Sequence, residues 1–292
     1  MKQRTGWILY NRQDARRNAR YIEFHREEGA KRGMDIQLVL IEELSFGVEN
    51  GQYVLNYQNQ KDKKPDFAIV RMNYPLLTKQ LEAMQIPVFN NSKTAEICND
   101  KARTYQYVAQ LELPMVDSQF VHKLFLMENL ERKKRPYVVK AVSGHGGSQV
   151  FLVTEETDTQ QLHEIYENLD YHVVIHPLTG TRHQDLRVYV VGREIIGAVL
   201  RTAKDGFKSN FSLGGEVEFY NLSTKEREQV QKIINIFDFD LVGIDFIIGD
   251  QGELIFNEIE DVVGSRMLYQ SSNLNIVAVY LDYIEKTLDR EL

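Results

Sequence analysis

Leu241-Val242-Gly243-Ile244-Asp245-Phe246-Ile247-Ile248, then Gly249-Asp250-Gln251-Gly252, then Glu253-Leu254-Ile255-Phe256-Asn257-Glu258-Ile259-Glu260 is the stretch that decides the fold. Gly-Asp-Gln-Gly is turn chemistry between two apolar runs, which predicts a β-hairpin. A symmetric loop places Ile248 opposite Glu253 and Asp245 opposite Phe256, with Glu258 as the diagonal neighbour of Asp245 on the same face. Diagonal neighbours stand roughly 7–8 Å apart, a gap that one or two hard cations bridge. Glu260 continues that face. A one-residue slip sends Asp245 and Glu258 to opposite faces, so the inference depends on register. Asp245 stands among apolar residues, where an unpaired charge is costly to bury. A Mg²⁺ role for Asp245 with Glu258 is therefore favoured over a solvated edge. Glu260, followed by Asp261, is either a third ligand or solvated.

Upstream, Val138-Val139-Lys140-Ala141-Val142-Ser143-Gly144-His145-Gly146-Gly147-Ser148-Gln149-Val150 joins two β-rich runs through glycines. Glycines let backbone N–H groups approach a phosphate. No Lys-Ser/Thr follows them, the G-x-G-x-x-G spacing is absent, and no helix comes next, so neither familiar phosphate loop fits. A hairpin flap with Lys140 at its base folds over a nucleotide triphosphate; a mobile surface hairpin with a solvated lysine is the even alternative.

Further out, the first ~90 residues alternate strands (Gly6–Tyr10, Ile36–Ile41, Phe67–Met72, Pro87–Phe89) with helices, one capped by Asp14 and running to about Lys31. That pattern predicts a mainly parallel sheet. Thr94–Leu111 reads as one helix. From Val173 the pattern turns to antiparallel β, with Asp185–Val191, Glu194–Arg201 and the hairpin, interrupted by a helix over Lys225–Phe237 and closed by Ile276–Leu288. The fold class is α/β and α+β. The organisation read from it is an N-terminal lobe over 1–91, a central lobe with the glycine-rich flap over 92–172 and a C-terminal lobe with the metal site over 173–292.

Charge sets limits. The chain has 292 residues with 35 Lys+Arg against 42 Asp+Glu, a net −7. A general polyanion surface, and with it nucleic acid as a partner, is not expected, while a local basic pocket is allowed. Arg187 shares a strand face with Asp185 and Tyr189. With Arg201, Lys208 and Asn210 beside Leu213-Gly214-Gly215, it suggests an anion pocket. Lys204 and Lys208, taken alone, read as surface charges. Arg12, Arg16 and Arg20 fall on one helix face with Glu23 and Glu27 as partners, so a solvated face is favoured over an acidic-substrate site. One cysteine, Cys98, excludes an intrachain disulfide and reads as core. No long apolar run suggests a membrane span, and the cytoplasm is the expected compartment. His172 and His176 lie in a strand, out of helical metal-ligand geometry.

Taken together, Asn99-Asp100-Lys101, Val139-Lys140 with Gly144-His145-Gly146-Gly147, Asp185-Leu186-Arg187, Arg201, Lys208-Ser209-Asn210, Gly243-Ile244-Asp245 and Asn257-Glu258-Ile259-Glu260 resemble the ATP-grasp superfamily, most closely its RimK-like carboxylate–amine ligases. The resemblance covers about Ser92 to Leu268. It implies an ATP-grasp fold with an N-terminal pre-ATP-grasp α/β lobe and an ADP-forming ligase that makes an amide through an acylphosphate. ATP and Mg²⁺, with Mn²⁺ as a substitute, are the implied cofactors. Lys101, Lys140 and Lys208 with the flap glycines and His145 would contact ATP. His176-Pro177-Leu178 would read the adenine edge, and Asp185 would lie near the ribose. Arg187, Arg201 and Asn210 would face the phosphoryl group or the acceptor carboxylate, and Asp245, Glu258 and Glu260 would hold metal. Glu260 stands where the family usually has Asn, His176-Pro177 replaces an acidic-hydrophobic pair, and the usual small-residue–Pro turn is missing before Arg266, which becomes a candidate for the acceptor site. The substrates would be small-molecule or peptide carboxylates and amines, and a homo-oligomer is compatible with the chain. An ATP- and Mg²⁺-binding regulatory or scaffold protein without turnover, and a kinase that stops at a phosphorylated product, are the alternatives.

Overall fold

The computed structural model describes residues 3–58, 60–61, 63–144, 149–203 and 215–290. Four sheets organise it. The first is parallel, in the order Met34–Leu40, Arg4–Tyr10, Phe67–Val70, Val88–Phe89. Its central strands are buried on both faces, as a helix-covered parallel sheet requires. The expected first helix is two helices, Arg12–Arg17 and Ala19–Ala30, that meet at Asn18. The cap is Asn11, whose side chain accepts from the Asp14 backbone N–H, rather than Asp14 itself. A small antiparallel sheet built on the hairpin Leu44–Glu49 and Gln52–Tyr57 was not foreseen. Its turn, Asn50-Gly51, carries the positive φ angles such a connection needs.

The second sheet runs Val150–Val153, Tyr137–Ala141, His172–Pro177, Gln119–His122, all antiparallel. Alternation sends Tyr137, Val139 and Ala141 into a core under the helices Leu126–Arg132 and Thr159–Glu167. It leaves Val138, Lys140 and His176 on the opposite face. The third sheet has five strands in the order Glu216–Tyr220, Glu194–Thr202, Gln184–Val191, Leu241–Ile248, Leu254–Glu260. Leu186, Val188, Ile244 and Phe246 pack one of its faces against Val230, Ile233 and Ile234 of the helix Thr224–Ile234.

Asn90, just after the last strand of the first sheet, ties that sheet to the third. Its Nδ2 donates to the carbonyls of Leu241 (2.8 Å) and Asp261 (3.1 Å), and its Oδ1 accepts from the N–H groups of Asp240 (2.7 Å) and Leu241 (3.1 Å). With all four contacts made, the buried amide stabilises the junction instead of straining it.

His25 is fully buried against Tyr21 and Tyr280. Its Nδ1 donates to the Tyr21 carbonyl at 2.8 Å, and its Nε2 has no partner among the described residues. Burial pushes its pKa down to about 4. The unfolded chain therefore binds this proton more tightly, and His25 lowers stability as pH falls from 6.5 towards 4, by at most about 3 kcal/mol. Asp240 and Asp261, pushed up to about 7 by burial, act in the opposite sense across the same range, because the folded chain holds their protons more tightly. A difference measurement isolates His25. The stability of His25→Phe relative to the parent, from urea unfolding, should rise by up to that amount between pH 6.5 and 4. A pH-independent difference would contradict the assignment.

Candidate active site

The hairpin of the third sheet forms, but with a register of its own. Ile248 pairs with Leu254, Ile247 with Ile255 and Phe246 with Phe256, one residue away from the symmetric loop. That slip alone would separate Asp245 from Glu258. A β-bulge at Asn257 undoes it: beyond the bulge Asp245 pairs directly with Glu258 and Gly243 with Glu260. The carboxylates therefore face one another across adjacent strands instead of along a diagonal. Donor oxygens of Asp245, Glu258 and Glu260 lie within 4.8 Å of one another.

Next to them, cross-strand pairing sets Arg187 opposite Asp245 and Arg201 opposite Asp185. Arg187 grips Asp245 bidentately, Nε to Oδ1 at 2.8 Å and Nη2 to Oδ2 at 2.6 Å, and reaches Glu260 Oε1 at 2.8 Å. Arg201 donates to Asp245 Oδ2 at 2.8 Å and pairs with Asp185. One sheet face thus carries a buried row of alternating charge. Gly243 makes room for it: a Cβ there would meet Val263 Cγ2 at 2.6 Å and Arg187 Cδ at 3.4 Å. The charge that Glu260 adds where an Asn was expected is met by Arg187. Burial and its two acidic neighbours nevertheless push the Glu260 carboxyl up. Glu258 is held below the usual range, because Lys101 and Lys140 outweigh its burial.

Lys101 reaches this row because the expected helix Thr94–Leu111 is broken. Ser92–Cys98 ends at Asn99, and Asp100 caps a new helix, Lys101–Ala109, by accepting from the Arg103 N–H. Lys101 Nζ donates to the Gly144 carbonyl at 2.5 Å and stands 3.3 Å from Glu258 Oε2. The start of the flap is thereby tethered to the carboxylates. Lys140 is buried, donates to Tyr105 Oη (2.9 Å) and Asn257 Oδ1 (3.1 Å), and is pushed down to about 8 by that burial, against the pull of Glu258. His176, on the same face, is pushed down to about 3 by burial and by Lys140, so its ring is neutral.

A cavity of about 590 Å³ joins these groups. Lys101, Lys140, Gly144, His176, Leu178, Asp185, Glu258 and Glu260 line it, and Val138, Val150 and Ile259 give it an apolar wall. Asp245, Arg187 and Arg201 stand behind Glu258 and Glu260 and not on the lining. His145, Gly146, Gly147, Lys208 and Asn210 lie outside the described residues. Sequence reasoning missed three contributors: Tyr105 and Asn257, which hold Lys140, and Arg71, which lines the cavity from the first sheet. Arg71 directly follows the parallel strand Phe67–Val70, and the carboxyl ends of such strands are where α/β folds place ligands.

A family model for the RimK-like ATP-grasp domain matches residues 98–284. The chain is 27% identical over 269 residues to β-citrylglutamate synthase B of Mus musculus, covering 87% of this chain and 70% of the relative. It is 28% identical over 275 residues to N-acetylaspartylglutamate synthase A of Homo sapiens, covering 88% and 70%. In three dimensions it resembles the ATP-grasp ligase PsnB, solved with a precursor variant, Mg and ADP, at a TM-score of 0.69 and 13% identity over 96% of this chain and 97% of that one. The fold is that of the ATP-grasp ligases, and the chain belongs to the RimK-like ATP-grasp family.

Proposed function

We propose that the cavity binds ATP with a divalent cation, and that a substrate carboxylate is phosphorylated there and then captured by an amine. ATP-dependent ligation of a carboxylate to an amine is the activity common to this family and its relatives. The observation that carries the residue assignment is the convergence of Glu258, Glu260, Lys101 and Lys140 on one cavity wall. The donor set fits the metal: hard carboxylate oxygens, closely grouped, beside cationic groups suited to phosphate. Glu258 and Glu260 would hold Mg²⁺, or Mn²⁺, from the cavity side, with Asp245 behind them. The bound cation would neutralise charge on the phosphates.

Val138, Val150, Leu178 and Ile259 would enclose the adenine, with the backbone at His176–Leu178 along its edge and Asp185 towards the ribose. Lys140 and Lys101 would hold phosphate oxygens, and Lys101, tied to Gly144, would draw the flap over them. A carboxylate oxygen attacks the γ-phosphorus and ADP leaves with the bridging oxygen. The amine then attacks the acyl carbon, gives up its proton, and phosphate departs. Both steps depend on positioning and charge neutralisation more than on a proton relay, which fits a site without a nucleophilic triad. Closing the flap excludes water from the acylphosphate.

The test is a screen of carboxylate–amine pairs for Mg²⁺-dependent ADP release with product mass. An amide supports the assignment; a phosphorylated product, or nucleotide binding without turnover, contradicts it. Within such an assay Lys140→Ala should raise the KM for ATP about 10- to 100-fold, the worth of one charge-assisted hydrogen bond. An unchanged KM would remove Lys140 from the phosphate site.

A further inference from the structure

A second cavity, of about 420 Å³, opens beside the carboxylate row between the helix Ala19–Ala30 and the segment after Glu260. Arg17, Arg20, Arg71, Arg187 and Arg266 line it, and among the described residues no carboxylate does. In a chain of net −7 that is a marked local excess of positive charge. The arginines are not equally committed. Arg187 is paired with Asp245 and Glu260. Arg17 and Arg20 meet Asp14 (3.7 Å) and Glu27 (3.2 Å) through largely exposed side chains, contacts that hold little energy. Arg266 is exposed, and its Nη2 donates to the Arg17 carbonyl at 2.8 Å, which closes the rim.

Arg71 is the unusual member. It is 7% exposed, lies over the Tyr21 ring at 5.2 Å and donates Nη2 to the Val263 carbonyl at 2.7 Å. Its Nε makes no hydrogen bond among the described residues, and its guanidinium bears on the buried Tyr10 hydroxyl, countering the rise in pKa that burial gives that group. No carboxylate among the described residues pairs with it. A buried guanidinium with an idle N–H is costly unless something accepts from it. Arg71 also lines both cavities, so it stands at their junction, and Arg187 links the second cavity to Glu260 on the wall of the first.

We propose that the second cavity holds the carboxylate-donating substrate and that this substrate carries at least two carboxylates, one at the junction between Arg71 and Arg187 and the other at the rim on Arg266 with Arg17 and Arg20. The junction carboxylate is the one presented for phosphorylation, a point that rests on the ligase reading above. The binding of a dianion does not rest on it. Arg71 is then a specificity-determining residue, because a guanidinium fork matches a carboxylate bidentately.

The experiment is calorimetric titration of the full chain, without nucleotide, with acetate, succinate, glutarate and citrate. At least one di- or tricarboxylate should bind at least tenfold more tightly than acetate. Arg266→Ala should weaken that binding at least tenfold while leaving the affinity for a non-hydrolysable ATP analogue with Mg²⁺ unchanged, and Arg71→Met should abolish it. If the buried Arg71→Met does not fold, Arg266→Ala on its exposed side chain decides alone. Absence of binding by all four anions, or equal binding by parent and Arg266→Ala, overturns the proposal. Amide formation with a dicarboxylate whose KM is the same in Arg266→Ala also overturns it and leaves the ligase reading standing. Anion binding that the substitutions remove, in a protein that releases no ADP with any carboxylate–amine pair, keeps the anion site and overturns the ligase reading.

Discussion

Glu258→Gln should abolish Mg²⁺-dependent ADP release while the chain stays folded. Glu258 faces Asp245 across the sheet and Lys101 across the cavity, and of the two cavity-lining carboxylates it is the one whose pKa is held down and not pushed up. The amide keeps shape and hydrogen-bonding capacity but removes the charge that would draw a cation. A metal ligand contributes several kcal/mol of charge stabilisation to phosphoryl transfer. Losing about 3 kcal/mol lowers kcat/KM roughly 100-fold. Lys101 also loses its carboxylate partner and keeps only the Gly144 carbonyl, so a further loss in flap closure is expected. The measurement is ADP release against Mg²⁺ concentration, with circular dichroism to confirm the fold. An unchanged Mg²⁺ dependence would take Glu258 out of the metal site.

Most of what positions this site was legible in the residues. The turn Gly249–Gly252 and the apolar runs beside it specified the hairpin. The β-rich flanks of the glycine loop specified a strand pair with Lys140 at its end, and Val150 pairs with Lys140 there. What escaped is what depends on groups far apart in sequence. The bulge at Asn257 has no local signature, because Asn in a strand reads only as a poor β-former. It becomes intelligible once Lys140, 117 positions away, is seen donating to its side chain. The break at Asn99-Asp100 was readable in principle, since Asp is a strong N-cap, although Thr94–Leu111 reads as one helix without it. Arg187 and Arg201 were expected to face substrate. Both are also committed to Asp245, Asp185 and Glu260, because burying so many carboxylates on one sheet face demands cations beside them, and Arg187 lines the second cavity as well. Arg71 lay unmarked because nothing in Val70-Arg71-Met72 shows that its neighbours would be Tyr21 and Val263.

The same row of charge predicts the largest effect on stability. Arg187→Met should destabilise the chain by about 3–5 kcal/mol, the usual cost of removing one partner from a buried ion pair. Arg187 makes three contacts with two carboxylates and is 6% exposed. Without it Asp245, itself almost wholly buried, keeps only Arg201, and Glu260 loses its cation. Most of the cost is the desolvated charge left behind and not the strength of the lost bonds. It follows that neutralising the orphan should recover much of the loss: Arg187→Met with Asp245→Asn should be more stable than Arg187→Met alone, a non-additivity expected of residues in direct contact. Urea unfolding of the parent, both single variants and the double variant measures the coupling. Independent, additive losses would mean that Arg187 and Asp245 do not act as a pair, and that the polar face of the third sheet is held by something other than its own alternating charge.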